Sequence, residues 1–349
     1  MSGTIINSYR PDAFPLLTQK VYSLTKTSQE RELLINRGMF PLLDLSQGEG
    51  DPLKHRLQGT ISTWSGYEAF GGVVDTRLGP NDHRPQVAIT NPGSLTYQTI
   101  PRGVESPISY QFEAERQVPI DVEERRAKLL RSIHAVQREY RIASTLRTSG
   151  NTSGWAAAGF TVLSSTDDPI GQFLSARDYI VDNSDVKDAP THLVIDRTIA
   201  RFLRKHPTFR GIEGDITKGV AAVNQDGAPV RNFALVEAYM SRMLEMDVKV
   251  ATGRYNTAKE GQAASLSDIW SGAQFLWDSP GEDAAVLDSD MGGAVELDAP
   301  RSILCTTAGT SMGRYQRPDG RVYYVWMDQR VGETLIAQNL GWHFSSVVS

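Results

Sequence analysis

The clearest hydrophobic pattern in the chain lies between residues 120 and 150. Asp121 followed by Glu124 has the form of a capping box, and Gly150 is typical of the residue after a helix end. Between these signals, apolar residues recur at steps of three and four: Val122, Leu129, Ile133, Val136, Tyr140, Ala143 and Leu146. This spacing predicts one helix over residues 121–148, roughly 40 Å long, with a narrow apolar stripe. Its other sides are charged. A helix of this kind is better suited to packing along one side of a thin layer than to burial inside a compact globular domain.

The stretch before this helix has no helical period. Residues 56–118 are rich in Gly, Pro and strand-forming residues, which predicts an extended hairpin. We expect ISTWSGYEAFGGVV to form one arm and ISYQFEAERQV the other, with LGPNDHRP and TNPG in turns near the tip. A hairpin of this kind has little core of its own, so it is expected to lie on a neighbouring molecule. The side chains expected at that contact are Trp64, Tyr67, Phe70, Arg77 and Arg84.

The rest of the chain mixes helical and strand patterns. A helical stretch is predicted around Ala13 to Ile35, and IGQFLSARDYIVDN predicts a short helix capped by Asp168. HLVI and MDVKVA are predicted strands, each beside a predicted helix, and Pro207 is expected to end the first of those helices. In the tail, Pro318-Asp319-Gly320 predicts a hairpin turn between GRYQR and RVYYVWMD. The alternation of HLVI and MDVKVA with helices predicts a small α/β module, followed by a strand-rich tail.

Composition narrows the classes of function. The chain has 349 residues, of which 40% are hydrophobic, and this is enough to build a sizeable core. Its net charge of −5 argues against a dedicated nucleic-acid-binding protein. No run reaches the roughly 18 apolar residues of a membrane span and the polar start is unlike a signal peptide, so we expect synthesis in the cytoplasm. Cys305 is the single cysteine and is expected to be a small buried hydrophobe.

Three segments, taken in order, carry a resemblance to a known family. They are EERRAKLLRSIHAVQREYRIASTLRTSGN followed closely by Trp155, then HLVIDRTIARFLRKHP, then GRVYYVWMDQRVGETLIAQNLGWHF. With the extended hairpin they cover most of residues 56–349. Their order along the chain resembles the major capsid proteins of tailed bacteriophages, whose shell fold, of the Hong Kong ninety-seven type, is shared with encapsulins.

The resemblance implies an α+β fold with an N-terminal arm, an extended loop, a long spine helix and an α/β axial domain. The implied divisions are an arm over 1–55, the extended loop over 56–120, a peripheral domain over 121–190 with the spine helix at 121–148, an axial domain over 191–300, and a strand-rich return over 301–349. That return is expected to complete the peripheral and axial sheets.

The resemblance also implies a structural function without catalysis, cofactor or metal. The chain is expected to assemble with itself, as pentamers and hexamers, into the icosahedral head shell that encloses double-stranded DNA in the virion. Only about fifty residues precede the extended loop, too few for the long charged coiled coil of an intrinsic scaffold, so a separate scaffolding protein is expected. A portal is a further expected partner, and a decoration protein is left open. An encapsulin-like compartment shell is the nearest alternative.

The basic residues of the spine helix admit two interpretations. Arg125, Arg131, Arg138 and Arg141 lie on its charged sides. Pairing with acidic residues of the protein is the simpler interpretation, as predicted between Glu124 and Lys128. Weak local contacts with packaged DNA are the alternative, because the guanidinium fork suits phosphate.

The strongest rival is an enzyme. Gly309 to Gly313 match the G-x-S-x-G elbow of serine hydrolases, and Ser311, Asp328 and His343 follow in the chain order of an α/β-hydrolase triad. The elbow needs a helix directly after the serine, whereas here a hairpin and an aromatic strand follow. We therefore expect a Gly/Ser turn and a catalytically silent serine.

No metal or phosphate motif stands out in the sequence. DSDMGG resembles the start of a calcium loop, but its twelfth position is Ala299 instead of the required Glu. The six histidines are widely spaced and are not accompanied by the C-x-x-C or H-E-x-x-H patterns of zinc sites. The sequence also contains no glycine-rich phosphate-binding motif.

Overall fold

The computed structural model describes residues 30–40, 42–44, 58–63, 93–109, 122–184, 189–209, 233–258, 262–277, 285–288, 294–297, 302–316, 322–336 and 340–348. Its helices are α1 (Val122–Ser149), α2 (Pro169–Asn183), α3 (Arg197–Lys205) and α4 (Ala234–Leu244). The first strands are β1 (Leu42–Asp44), β2 (Gln58–Thr63), β3 (Gly93–Gln98), β4 (Ile100–Ser109), β5 (Asn151–Gly154), β6 (His192–Asp196) and β7 (Asp247–Ala251). The later strands are β8 (Arg254–Asn256), β9 (Leu266–Asp268), β10 (Ala273–Leu276), β11 (Ala285–Asp288), β12 (Ala294–Leu297), β13 (Ile303–Gln316), β14 (Val322–Leu335) and β15 (Gly341–Ser345).

Three larger sheets and one two-stranded ribbon, β8-β9, organise these strands. The long sheet has the order β1-β13-β14-β4, the central sheet β5-β15-β10-β6-β7, and the outer sheet β11-β12-β2-β3. The long and central sheets each place strands from the end of the chain beside strands from much earlier in it. Tail residues therefore complete two separate sheets.

The long sheet is built on the predicted tail hairpin. β13 and β14 are 14 residues each and pair antiparallel, from Ile303 opposite Leu335 to Gln316 opposite Tyr323. In β14, Tyr323 and residues 325–327 are buried, whereas Tyr324 and Asp328 are more exposed. The predicted turn residues 318–320 lie outside the described part of the chain.

Helix α1, which we call the spine helix, buries different sides in its two halves. In the first half Ala127 and Leu130 pack against the long sheet. In the second half Ile142, Ala143 and Leu146 pack into a cluster that also holds residues of the central sheet. The buried side changes because the second half is covered by a cluster in which the central sheet meets Ile303 and Cys305 of the long sheet.

The helix bounds are close to the prediction of 121–148, but the predicted stripe is partly wrong. Leu129 is 45% exposed and Ile133 is only half-buried. Val136, Ala143 and Leu146 are buried as predicted. Apolar spacing alone does not say which side of a helix another layer covers. The proposed capping residue Asp121 lies outside the described residues.

The central sheet carries the largest apolar cluster. Trp155 is fully buried, with Phe160, Phe173 and Phe344 at ring-centroid distances of 5.1, 5.4 and 5.4 Å. Residues of α2, α3 and α4 all contribute to this cluster. The predicted strand–helix and helix–strand units are confirmed, with α3 ending at Lys205, two residues before Pro207. The predicted cap is also confirmed, because Asp168 Oδ1 accepts a hydrogen bond from Ile170 N at 3.1 Å.

The predicted pairing of the extended hairpin is wrong in the part that the structure describes. β2 pairs antiparallel with β3, from Gln58 opposite Gln98 to Thr63 opposite Gly93. Ile108, expected in the opposite arm, lies in β4 of the long sheet and is 2% exposed among residues of the spine helix. Burial against that helix draws this stretch into another layer. Trp64, Tyr67, Phe70, Arg77 and Arg84 lie outside the described residues.

Two other features of the described chain bear on the predictions. The helix expected up to Ile35 is replaced, from residue 30 onward, by two short 3-10 turns, Glu30–Glu32 and Ile35–Arg37. Buried Leu33 and Leu34 lie at the junction of these turns, where packing overrides a continuous helix. Within the described ranges, no helix is long and apolar enough to cross a membrane.

We expect Asp196→Ala to destabilise the protein more than Asp168→Ala. Asp196 caps α3 by accepting a hydrogen bond from Ile199 N at 2.7 Å and also accepts one from Gly272 N at 2.8 Å. Each lost bond costs about 1 kcal/mol, so the Asp196 variant should lose roughly twice as much. Urea unfolding of both variants tests this, and equal losses would contradict a bridging role for Asp196.

Candidate functional site

The N-terminal residues Glu30–Phe40, which we call the strap, contact the spine helix from Arg131 towards its C-terminal end. Leu33 and Leu34 are fully buried, and Met39 and Phe40 nearly so. Phe40 stacks on Trp270 with ring centroids 6.0 Å apart and planes 6° from parallel. This apolar face joins the strap, the spine helix and the segment between β9 and β10 into one cluster.

Arginines of the spine helix anchor both ends of the strap. Arg131 Nε lies 3.0 Å from Glu30 Oε1, and the Glu30 side chain is only 2% exposed. Arg138 Nη2 donates to Phe40 O at 3.1 Å. These residues are two turns apart on the helix, so their contacts fix the direction in which the strap crosses it.

Between these anchors lies a buried carboxyl group, that of Glu139, which is 0% exposed. Its Oε1 accepts a hydrogen bond from Trp270 Nε1 at 2.9 Å, and its Oε2 accepts one from Ile35 N at 3.4 Å. The Leu34 amide also hydrogen-bonds to it. Burial raises the pKa of Glu139 to about 7, against the opposing effect of these donors and of Arg138.

The strap also closes the free edge of the central sheet. Arg37 Nη2 donates to both oxygens of Glu237 at 2.8 Å, and its Nη1 donates to Val250 O at 3.3 Å. Glu237 in turn accepts from Val250 N at 2.7 Å, and Ser241 Oγ accepts from Val248 N at 2.8 Å. Side chains thus form hydrogen bonds with the outward-facing backbone N–H and C=O groups of β7 at these positions. An edge capped in this way is a poor template for another strand.

A second set of contacts holds the spine helix to the long sheet. Arg141 binds Glu333 with a fork of hydrogen bonds, the shortest being 2.7 Å from Nη2 to Oε1. His134 Nε2 lies 3.0 Å from Met327 O, and burial lowers the pKa of His134. Because a neutral ring can still donate to that carbonyl, His134 acts as a buried polar contact between layers.

The arginines singled out from the sequence therefore divide into two groups. Arg131, Arg138 and Arg141 have partners within the protein, while the side chain of Arg125 is exposed on the first turn of the helix. The Glu124–Lys128 pair, predicted from their spacing, is present at 2.9 Å. The geometry favours structural pairing for three of the four arginines and leaves Arg125 accessible to a partner.

The residues of the rival hydrolase triad do not form an elbow. Ser311 lies within β13 opposite Asp328 of β14, so the expected Gly/Ser turn is wrong and the stretch continues as strand after a bulge between Thr307 and Thr310. Gly309 accommodates that bulge with a φ of +105°. His343 belongs to β15 of the central sheet, and burial lowers its pKa to about 4. Ser311 therefore lacks the strand–turn–helix setting that activates such a serine.

Metal binding finds no support in the described ranges, where no group of three or more His, Cys, Asp or Glu side chains is placed to hold an ion. The acidic stretch around Asp290 lies almost entirely outside those ranges. Cys305 is buried, as expected from its apolar neighbours.

Sequence reasoning missed Glu139 and His134 because charged and polar residues were assigned to the solvent side of the spine helix. A signal was present, since Ala127, Leu130 and Ile142 form a second set of small and apolar positions that the predicted stripe leaves out. The layers that bury these positions are distant in sequence. Glu139 and Trp270, for example, are 131 residues apart.

Comparison of the sequence with protein-family models and with curated proteins finds no match. Among solved structures, a phage-related protein from Bordetella bronchiseptica is similar with a TM-score of 0.57 and 15% identity, over 97% of this chain and 98% of that one. The capsid of cyanophage P-SCSP1u is similar with a TM-score of 0.48 and 10% identity, over 99% and 95% of the two chains. The capsid of Myoviridae phage XM1 is similar with a TM-score of 0.48 and 14% identity, over 89% and 91%.

The first of these similarities shows that the fold of the Bordetella phage-related protein extends over almost the whole chain. The predicted α+β fold is confirmed, and it is the fold of that phage-related protein.

Glu237→Ala should destabilise the protein by about 2–3 kcal/mol, because it leaves Val250 N and the Arg37 guanidinium without their acceptor. Lys128→Ala is the matched control, since it removes an exposed pair with Glu124 whose contribution is about 0.5 kcal/mol or less. Denaturant unfolding of the two variants measures the difference. A Glu237 variant as stable as the control would show that the capped edge contributes nothing to folding.

Proposed function

We propose that this chain is the major capsid protein of a tailed phage, a structural subunit that assembles with its own copies into an icosahedral head shell around double-stranded DNA. The observation that carries the proposal is the fold shared with a phage-related protein over nearly the full length of both chains. The order of parts along the chain, with a long spine helix between an N-terminal strap and a strand-rich return, supports it independently.

The internal contacts suit a stiff structural subunit. The spine helix packs on the long sheet in its first half and in the cluster shared with the central sheet in its second, where the Arg141–Glu333 pair also joins it to the long sheet. A subunit that bears load in a thin shell needs the relative positions of its layers to be fixed. We propose that the extended loop, with Trp64, Tyr67, Phe70, Arg77 and Arg84, lies over a neighbouring subunit.

One exposed apolar feature supports self-assembly. Leu129 is 45% exposed, and Ile133, one turn later, is half-buried. Both belong to the same apolar stripe, whose later members Val136 and Ala143 are covered within the subunit. We propose that the uncovered first half of this stripe contacts a second copy of the chain.

The proposed partners follow from a shell of this kind. Pentamers and hexamers would be its units, with a separate scaffolding protein and a portal, and its place would be the virion after synthesis in the host cytoplasm. Arg125 is the spine-helix residue we propose for weak contact with packaged DNA, because its side chain is exposed.

Electron microscopy of the purified full-length protein tests the proposal. We expect rings or megadalton particles. A monomer or small oligomer labelled by a fluorophosphonate probe, with labelling lost in Ser311→Ala, would instead support the hydrolase. An encapsulin-like compartment would form particles that contain a protein cargo and no nuclease-protected DNA.

A pair of neighbouring substitutions separates folding from assembly. Leu129→Asp should leave the subunit folded and sharply reduce particle yield, because a charge enters the proposed contact between copies. Leu130→Asp should reduce soluble folded subunit instead, since Leu130 is fully buried against the long sheet and its replacement costs several kcal/mol. Circular dichroism and particle counts by microscopy measure the two effects. If the Leu129→Asp variant assembles normally, this surface is not part of the interface between copies.

A further inference from the structure

The Glu139 carboxyl group experiences two opposing influences at the joint between strap and spine helix. The donors Trp270, Ile35 and Leu34, together with Arg138, favour the ionised form. Complete removal from water favours the neutral form, and this is the larger influence, so the pKa rises from 4.5 to about 7. Glu139 therefore changes its proton occupancy near neutral pH while it contacts the backbone of the strap.

The charged groups on the elements around Glu139 are engaged with other partners. They are Glu30 with Arg131, Arg37 with Glu237, Arg254 with Asp268, and Arg138 with the carbonyl oxygen of Phe40. Trp270 and Gly253, which also approach Glu139, carry no charge. Among the described residues, no ion pair within 4.0 Å includes Glu139. Its charge is thus balanced by hydrogen bonds alone at short range.

We propose that the strap is held by a proton-linked joint, seated most firmly when Glu139 carries a proton and loosened when Glu139 ionises. On loosening, the carboxylic proton passes to water, the carboxylate becomes hydrated, and Trp270, Ile35 and Leu34 exchange their acceptor for water. Nothing in this step depends on the proposed function. In a shell subunit it would set how firmly the chain preceding Glu30 is anchored.

The direction of the effect follows from linkage. The pKa of Glu139 is raised above its usual value of 4.5, so its contribution to strap stability is complete below pH 4.5. That contribution is lost as the pH rises through about 7. From these two values, the population of the open strap should rise about tenfold between pH 6 and pH 8.

Hydrogen exchange on the purified full-length chain tests this proposal, with rates corrected for the intrinsic effect of pH. Protection of peptides covering residues 33–40 should fall about tenfold from pH 6 to pH 8 in the wild type. In Glu139→Gln it should stay constant, because the amide keeps an oxygen acceptor for Trp270 but takes up no proton. A flat wild-type profile, or the same fall in Glu139→Gln, overturns the proposal.

A second variant keeps the proposal testable if Glu139→Gln does not fold. Trp270→Phe retains a ring beside Phe40 but removes the donor that favours ionised Glu139. The midpoint of the pH profile should then move upward, and an unchanged midpoint would contradict the joint. Peptides covering residues 322–328 of β14, which pack on the first half of the spine helix, serve as an internal control. A tenfold fall there as well would mean that the whole molecule opens, and the strap-specific proposal would fail.

Discussion

The spine helix must bury two different sides along one rigid length, and the rest of the structure is arranged around this constraint. Its 28 residues span about 42 Å at 1.5 Å each. Leu130 packs on the long sheet in the first half, and Ile142 packs in the cluster shared with the central sheet in the second. One helix therefore contacts both layers, which also meet in that cluster through Ile303 and Cys305 of the long sheet.

Apolar packing and buried polar contacts have different roles at the joint. Leu33, Leu34 and Phe40 remove apolar surface from water and supply most of the stabilisation of the strap. Buried charges cost desolvation, so a carboxyl group such as Glu139 contributes little net stability. Its contribution is to fix the position of the strap. The Glu139 oxygens are hydrogen-bonded only when Trp270 and the backbone of Ile35 are placed as they are in this structure. The same argument applies to the Arg141–Glu333 fork on the other side of the helix.

Features that depend on neighbouring residues were predictable from the sequence. The bounds of the spine helix, the Asp168 cap and the strands of the tail hairpin all follow from local signals. Features that depend on distant partners were not. The side of the spine helix that is buried, the transfer of Ile108 to the long sheet and the burial of Glu139 are decided by layers far away in the chain. The glycines around Ser311 suggested a turn, yet cross-strand pairing with β14 keeps that stretch extended.

The switch of buried side has one further physical consequence. A helix with a continuous apolar stripe that is covered in only one half leaves the other half in water, as at Leu129. A single exposed leucine is ordinary on a protein surface and carries little weight by itself. Its continuity with the buried residues Val136 and Ala143 is more informative, because the same stripe is a packing surface about two turns further along. A surface of this kind is useful to a chain whose neighbours are its own copies, since a second subunit can extend the packing that the first begins.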